Sequence, residues 1–190
     1  MGLAHLASTL AFAAISQSGF FLLFSILPST IALERAIFYF LAYSLAFGLL
    51  SYLLTLVKAE RNYELRSLNE LGLKNPFWGI ALLVAVFSLV GLPPFMGFLA
   101  KFFLFSGVWE LVQNSENLTL LWVFILGLLN TVLALAYYLR LPYHTFFKKS
   151  EEKSGLMATN RIEIIVIVLL ILSLFSGFFF PSFYTSIISF

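Results

Sequence analysis

Residues 77–113 read FWGIALLVAVFSLVGLPPFMGFLAKFFLFSGVWELVQ. As one helix this stretch would measure about 55 Å, nearly twice the ~30 Å hydrocarbon core of a bilayer. It either crosses twice as a hairpin or crosses once with an interruption. The candidate joint is Gly91-Leu92-Pro93-Pro94-Phe95-Met96-Gly97. It carries no charged or hydrogen-bonding side chain, which is unusual for a turn in water. Pro93 and Pro94 lack N–H groups, so the carbonyls four residues back, Leu89 and Val90, lose their helical partners. Unpaired backbone at membrane depth is tolerated only inside protein or along a wet cavity.

The rest of the chain has the same character. Of its 190 residues 61% are hydrophobic and 11% charged, and the mean hydropathy is +0.99. A soluble domain carries about 25% charged residues. A soluble enzyme, a nucleic-acid binder and a disordered tail are therefore excluded, and the bilayer is the solvent. The net charge of +2 implies no polyanionic partner. There is no Cys, so disulfides, Fe–S clusters and thiolate metal sites are excluded. His5 and His144 are far apart and have no further ligand candidates beside them, so no metal site is expected. The 23 Phe fit an AT-rich coding genome such as a mitochondrial one. No cleavable leader is expected, because no Lys or Arg precedes the first apolar segment.

Outward from 77–113, apolar runs predict membrane helices over about 6–27, 31–57, 118–141 and 162–180. Polar loops are expected at 58–75 and 142–161. Pro28, Pro76, Pro142 and Pro181 stand at segment edges, and a short apolar tail follows Pro181. Charge placement bears on the choice at 77–113. With a single passage, both polar loops share one side. That side holds Lys58, Arg61, Arg66, Lys74, Arg140, Lys148, Lys149, Lys153 and Arg161, nine of the eleven basic residues. With a hairpin the split is four against six. The positive-inside rule favours the stronger asymmetry. The expected fold is an all-α polytopic bundle of about five crossings in a single transmembrane domain, the third crossing broken at Gly91–Pro94. The basic loops face the cytoplasm or matrix, and the two chain ends lie on opposite sides.

Lys101 is the charged side chain placed well inside an apolar span. A Lys at the bilayer centre costs ~2.5–3.5 kcal/mol on insertion scales. No acid lies nearby in sequence: Glu110 is nine residues on, and Glu34 belongs to another segment. Desolvation disfavours the charged form, so such an amine can take and release protons. The freed carbonyls at 89 and 90 can hydrogen-bond water, and opposed half-helix ends place partial charges beside it. Two blander readings stand alongside: Lys101 snorkels to an interface, and the double proline is a simple kink. Other intramembrane polar groups are Gln17, flanked by Ser16 and Ser18, and Asn130-Thr131, which serve either a polar path or helix packing. Tyr137, Tyr138 and Arg140 read as interfacial anchors, with Tyr138 also a candidate for the polar path or packing. Asn117-Leu118-Thr119 matches a glycosylation pattern by chance, and the mixed-charge stretch 148–160 reads as a solvated connector.

Gly91-Leu92-Pro93-Pro94 followed by Gly97-Phe98-Leu99-Ala100-Lys101-Phe102 resembles the G-(I/L)-P-P-x-x-G-F-x-x-K-F signature of the antiporter-like subunits of respiratory complex I, most closely NADH dehydrogenase subunit 2, the NuoN type. Ser67 to Pro76 resembles that family's loop before its broken helix. Ala11 to Phe20 resembles its A-Y-S-S-I-S-Q-x-G-(F/Y), and Leu129-Asn130-Thr131 with Tyr137-Tyr138-Leu139-Arg140 its L-N-S and Y-Y-L-(R/K). Ala7-Ser8 stand where the family usually has Lys-Arg.

The resemblance implies a membrane-arm subunit of proton-pumping NADH:ubiquinone oxidoreductase in which Lys101 is a proton relay. It implies that Gly91, Pro93, Pro94 and Gly97 build the helix break. The family's first nine helices, with their acidic residue and further lysines, have no counterpart here. The chain is then expected to be a split or truncated version, with a second polypeptide supplying the missing half. NADH, FMN, Fe–S clusters and quinone are expected in other subunits of the complex, and no cofactor in this chain. Other complex I subunits and membrane lipids are the implied partners. The implied location is the mitochondrial inner membrane or, alternatively, a bacterial plasma membrane. A subunit of a multi-subunit cation/proton antiporter or membrane-bound hydrogenase would share the signature. A structural membrane subunit without transport is the third possibility.

Overall fold

The computed structural model describes residues 6–58, 65–115, 117–149, 155–156 and 160–188. His5, Arg61 and Lys153 lie outside the described residues. The fold is all-α. Helix α1 (Leu6–Leu22) passes into a 3-10 turn, Leu23–Ile26, before Pro28. Then come α2 (Ser29–Thr55), a second 3-10 turn (Leu65–Leu68), α3 (Leu71–Lys74), α4 (Pro76–Val90) and α5 (Met96–Ser115). They are followed by α6 (Leu118–Tyr138), α7 (Arg140–Phe147), α8 (Arg161–Phe179) and α9 (Pro181–Ile188). A two-residue antiparallel clip joins β1 (Val57–Lys58) to β2 (Gly155–Leu156).

Polar side chains fix several ends. Asn117 accepts the Thr119 N–H at 2.9 Å and caps α6, so this Asn-Leu-Thr triplet has a structural role of its own. Asn160 and Glu163 form a reciprocal capping box at the start of α8. Three stretches differ from the sequence-based boundaries. The loop expected at 58–75 contains the 3-10 turn Leu65–Leu68 and helix α3. The first six residues of the loop expected at 142–161 are helix, because Pro142 falls in the first turn of α7, where N–H groups have no intrahelical partner anyway. The tail after Pro181 is helix α9. Tyr184 of α9 lies 2.7 Å from the Ser176 hydroxyl and donates to the Ser173 carbonyl at 3.3 Å, which folds α9 back on α8.

Helix α2 is the axis of the bundle. Phe38, Ala42, Ala46, Leu49 and Leu53 recur at three- and four-residue spacing and are all buried, so one face is committed to the interior. Helix α4 is apolar nearly all round and buried nearly all round, the pattern of a core helix. Helices α6 and α8 instead expose Trp122, Leu126, Leu129 and Leu133, and Ile165, Leu169 and Leu172. Apolar faces of this extent are not tolerated in water. Among the described residues three helices are long and apolar enough to cross a membrane: Ala32–Thr55, Leu118–Phe147 and Arg161–Phe179. Leu10–Ile26 and Pro76–Val90 are shorter apolar helices.

Two sets of contacts decide how 77–113 runs. Trp78 donates to the Leu53 carbonyl near the C-terminal end of α2 (3.3 Å), and Arg35, near its N-terminal end, donates to the Phe103 carbonyl (3.2 Å). The segment therefore travels along α2 in one direction. The basic loops also meet: Val57 pairs with Leu156, and Asn69 donates to the Lys149 carbonyl at 3.1 Å. His144 Nδ1 lies 2.9 Å from the Asn69 side-chain oxygen. Both loops thus sit at one end of the bundle, as a single interrupted passage requires and a hairpin forbids.

Candidate functional site

The break is built by its backbone. Gly91 ends α4 in the left-handed region, at φ 89°, where a Cβ would be strained. Its N–H reaches the carbonyls of Phe87 (3.0 Å) and Ser88 (3.1 Å), and the Leu92 N–H reaches Phe87 at 2.9 Å. Carbonyls 87 and 88 are thereby satisfied. Those of Leu89 and Val90 face the prolines and receive no backbone donor. The Pro93–Pro94 peptide is cis. Gly97, in the first turn of α5, lies directly on the Ser88 carbonyl, and any Cβ there would collide with it. Small residues at 91 and 97 are therefore what lets the two half-helices close.

Lys101 fills the gap. Its ammonium donates to the Leu89 carbonyl at 2.9 Å and to the Val90 carbonyl at 2.7 Å. The sequence suggested water at these carbonyls and left the partner of Lys101 open. The structure gives both questions one answer: the amine takes the place of the two N–H groups that the prolines lack. The side chain is 6% exposed, so it does not snorkel. Its Nζ also lies 5.2 Å from the ring centre of Phe20, within cation–π range. No carboxylate joins it: among the described residues the side-chain ion pair is Glu70–Lys74, in α3 and its approach. The charge is met instead by the C-terminal end of α4, where carbonyl dipoles sum to a partial negative charge.

Gln17 belongs to the same site. Its side-chain nitrogen donates to the Leu89 carbonyl at 3.3 Å, and the Tyr39 hydroxyl donates a short hydrogen bond to its side-chain oxygen. Gln17, Tyr39, Tyr43, Ser88, Gly97 and Lys101 line a cavity of about 10 Å³, close to the space one water needs. The Ser88 hydroxyl is buried and has no hydrogen-bond partner among the described residues.

Of the other candidates, Asn130 and Tyr137 lie elsewhere, and Tyr138 borders the Gln17–Tyr39 pair. Asn130 donates to the Ser16 hydroxyl at 3.2 Å and pins α6 to α1. Tyr137 donates to the Ser8 carbonyl at 3.3 Å and carries Arg140 over its ring, as an anchor does. Tyr138, read from sequence either as an anchor or as part of a polar path or packing, is 1% exposed. It points inward because it follows Ala134 by four residues on the buried face of α6. Tyr39 and Ser88 were not singled out from the sequence. A Tyr or Ser inside an apolar run carries no mark of which face it occupies. Among the described residues no group of three or more His, Asp or Glu could hold a metal ion.

Comparison with known proteins places this geometry in a family. The family model described as "NADH:quinone oxidoreductase/Mrp antiporter, TM" matches residues 4–134. The NADH-quinone oxidoreductase subunit N of Azobacteroides pseudotrichonymphae is 37% identical over 166 residues, covering 82% of this chain and 32% of the relative. Subunit N 2 of Acidobacterium capsulatum is 33% identical over 173 residues, covering 88% and 34%. The chain thus spans about a third of the length of these curated relatives, and both are bacterial. The mitochondrial setting suggested by the Phe content has no counterpart in them. A chain of respiratory complex I from Thermus thermophilus with bound aureothin superposes with TM-score 0.67 over 95% of this chain and 45% of that one, at 23% identity, and shares the fold. This chain belongs to the NADH:quinone oxidoreductase/Mrp antiporter transmembrane family.

Proposed function

We propose that this chain is the C-terminal part of a NuoN-type antiporter-like subunit of proton-translocating NADH:quinone oxidoreductase, in a bacterial plasma membrane, and that Lys101 is a protonatable station in it. The observation that carries the proposal is a buried amine held by two carbonyls with no acid beside it. An ion pair would fix the charge, whereas carbonyls do not. An ammonium has three N–H groups and a neutral amine has two. Lys101 can therefore lose a proton and still cap Leu89 and Val90. The lone pair it gains needs a donor, and the water-sized cavity with the unpaired Ser88 hydroxyl lies beside it. Loss and gain of the proton thus leave no carbonyl orphaned, which keeps the exchange reversible.

In this reading quinone reduction elsewhere drives the exchange, and this chain carries no redox cofactor. A second polypeptide supplies the rest of the subunit, further complex I subunits flank it, and lipid covers the exposed faces of α6 and α8. The test is Lys101→Met in membrane vesicles carrying the assembled complex. Proton pumping coupled to quinone reduction falls at least tenfold if Lys101 is a station. Unchanged pumping in an assembled complex would make the chain a structural membrane subunit. The family description also spans Mrp antiporters. Co-purification with flavin and Fe–S subunits supports the oxidoreductase, and their absence from a purified, transport-active assembly supports the antiporter.

A further inference from the structure

The Leu89 carbonyl accepts from two side chains at once. Lys101 reaches it at 2.9 Å and Gln17 at 3.3 Å. The Val90 carbonyl, equally stripped of its backbone partner, accepts from Lys101 alone among the contacts described. This asymmetry has a chemical consequence. A carbonyl that already accepts one hydrogen bond has less electron density to offer a second donor. Gln17 is therefore a competitor for the oxygen that steadies the ammonium.

The direction of the competition is fixed by Tyr39. An amide presents either its oxygen or its NH2, and the two ends are close to the same shape. Here the NH2 must face Leu89, because two carbonyl oxygens would repel. The amide oxygen then needs a donor, and the Tyr39 hydroxyl supplies it. All three groups are buried, with Gln17 and Tyr39 each 3% exposed, so water does not readily substitute. The polar groups around the amine are few. They are Gln17 from α1, Tyr39 and Tyr43 from α2, and Ser88 with the two carbonyls from α4. Tyr138 of α6 lies beside the Gln17–Tyr39 pair, close enough to interact electrostatically with Tyr39 and with the Gln17 side chain. No carboxylate is among them.

We propose that Gln17, oriented by Tyr39, is a positioning residue that sets how tightly Lys101 holds its proton, acting through the Leu89 carbonyl that the two side chains share. Gln17 touches no transferred proton. It weakens the hold of one of the two oxygens that favour the charged amine, and so poises Lys101 for release. The proposal rests on the reading of Lys101 as a protonatable station.

The experiment compares pH profiles of quinone-linked proton pumping in vesicles carrying the assembled complex, for the parent, Gln17→Leu, Tyr39→Phe and Lys101→Met. Gln17→Leu frees Leu89 for the ammonium and moves the alkaline limb of the profile upward by about half to one pH unit, the scale of one neutral hydrogen bond. Tyr39→Phe removes only a hydroxyl, keeps the packing, and moves the limb in the same direction by less. Should Gln17→Leu fail to assemble, Tyr39→Phe decides together with Tyr39→Phe/Tyr138→Phe, in which no second hydroxyl can hold the amide. An unchanged limb, or one displaced toward acid, in both assembled complexes overturns the proposal while Lys101 keeps its role. Normal pumping in Lys101→Met removes the underlying reading, and this one with it.

Discussion

Helices α4 and α5 and helices α6 and α8 have similar apolar sequences and opposite surroundings. Helix α4 turns Ala81, Leu82, Ala85 and Val86 into the interior, whereas α6 leaves Leu126, Leu129, Val132 and Leu133 outside. The buried pair carries the defects: two prolines, a left-handed glycine, two carbonyls without backbone donors and a lysine. The outer helices are continuous and carry no buried charge. Irregular backbone is affordable only where other protein can satisfy it, and here that place is beside α2. The difference teaches that the break is supported by its neighbours, and that the outer helices serve as its wall.

This contrast can be broken or sharpened by substitution, with thermal stability of the purified assembly as the measurement. Leu104→Ala, at a wholly buried site of α5, is expected to destabilise by about 3 kcal/mol, through lost transfer energy and the cavity left behind. Gly97→Ala forces the half-helices apart at the Ser88 carbonyl and costs about 2–3 kcal/mol. It also draws Lys101 off its carbonyls, so pumping falls along with stability. Asn117→Ala removes the α6 cap and costs about 1 kcal/mol, with pumping retained. Leu133→Ala, 69% exposed on α6, changes stability by less than about 0.5 kcal/mol. A cost at Leu133 equal to that at Leu104 would show that α6 is packed against protein in the assembly and would erase the contrast.

Much of the buried pair was legible in the sequence. The Pro93-Pro94 pair marks the break, because two adjacent residues without N–H groups cannot continue a helix, and the basic residues of both loops mark a single passage. What remained hidden has a common physical cause. Helices such as α2 are apolar nearly all round, so periodicity does not say which face is buried. Tyr39 therefore looked like any other aromatic in a membrane span, and Tyr138 looked like its neighbour Tyr137. That Lys101 reaches back eleven and twelve residues to Val90 and Leu89 depends on how the half-helices overlap, which only the closure at Gly97 reveals. Helix α9 was missed because the eight residues Pro181–Ile188, three of them Ser or Thr, carry too little pattern to mark a helix.

Lys101 has two roles in this account, as cap and as proton station, and Lys101→Arg separates them. A guanidinium keeps its charge at any accessible pH and offers donors to both carbonyls, so it can cap but cannot release a proton. Quinone-linked proton pumping by the assembled Lys101→Arg complex is the most direct measurement. The account predicts an assembled complex whose pumping is reduced at least tenfold. Pumping at the parental rate would contradict it and leave Lys101 as the clasp of a broken helix.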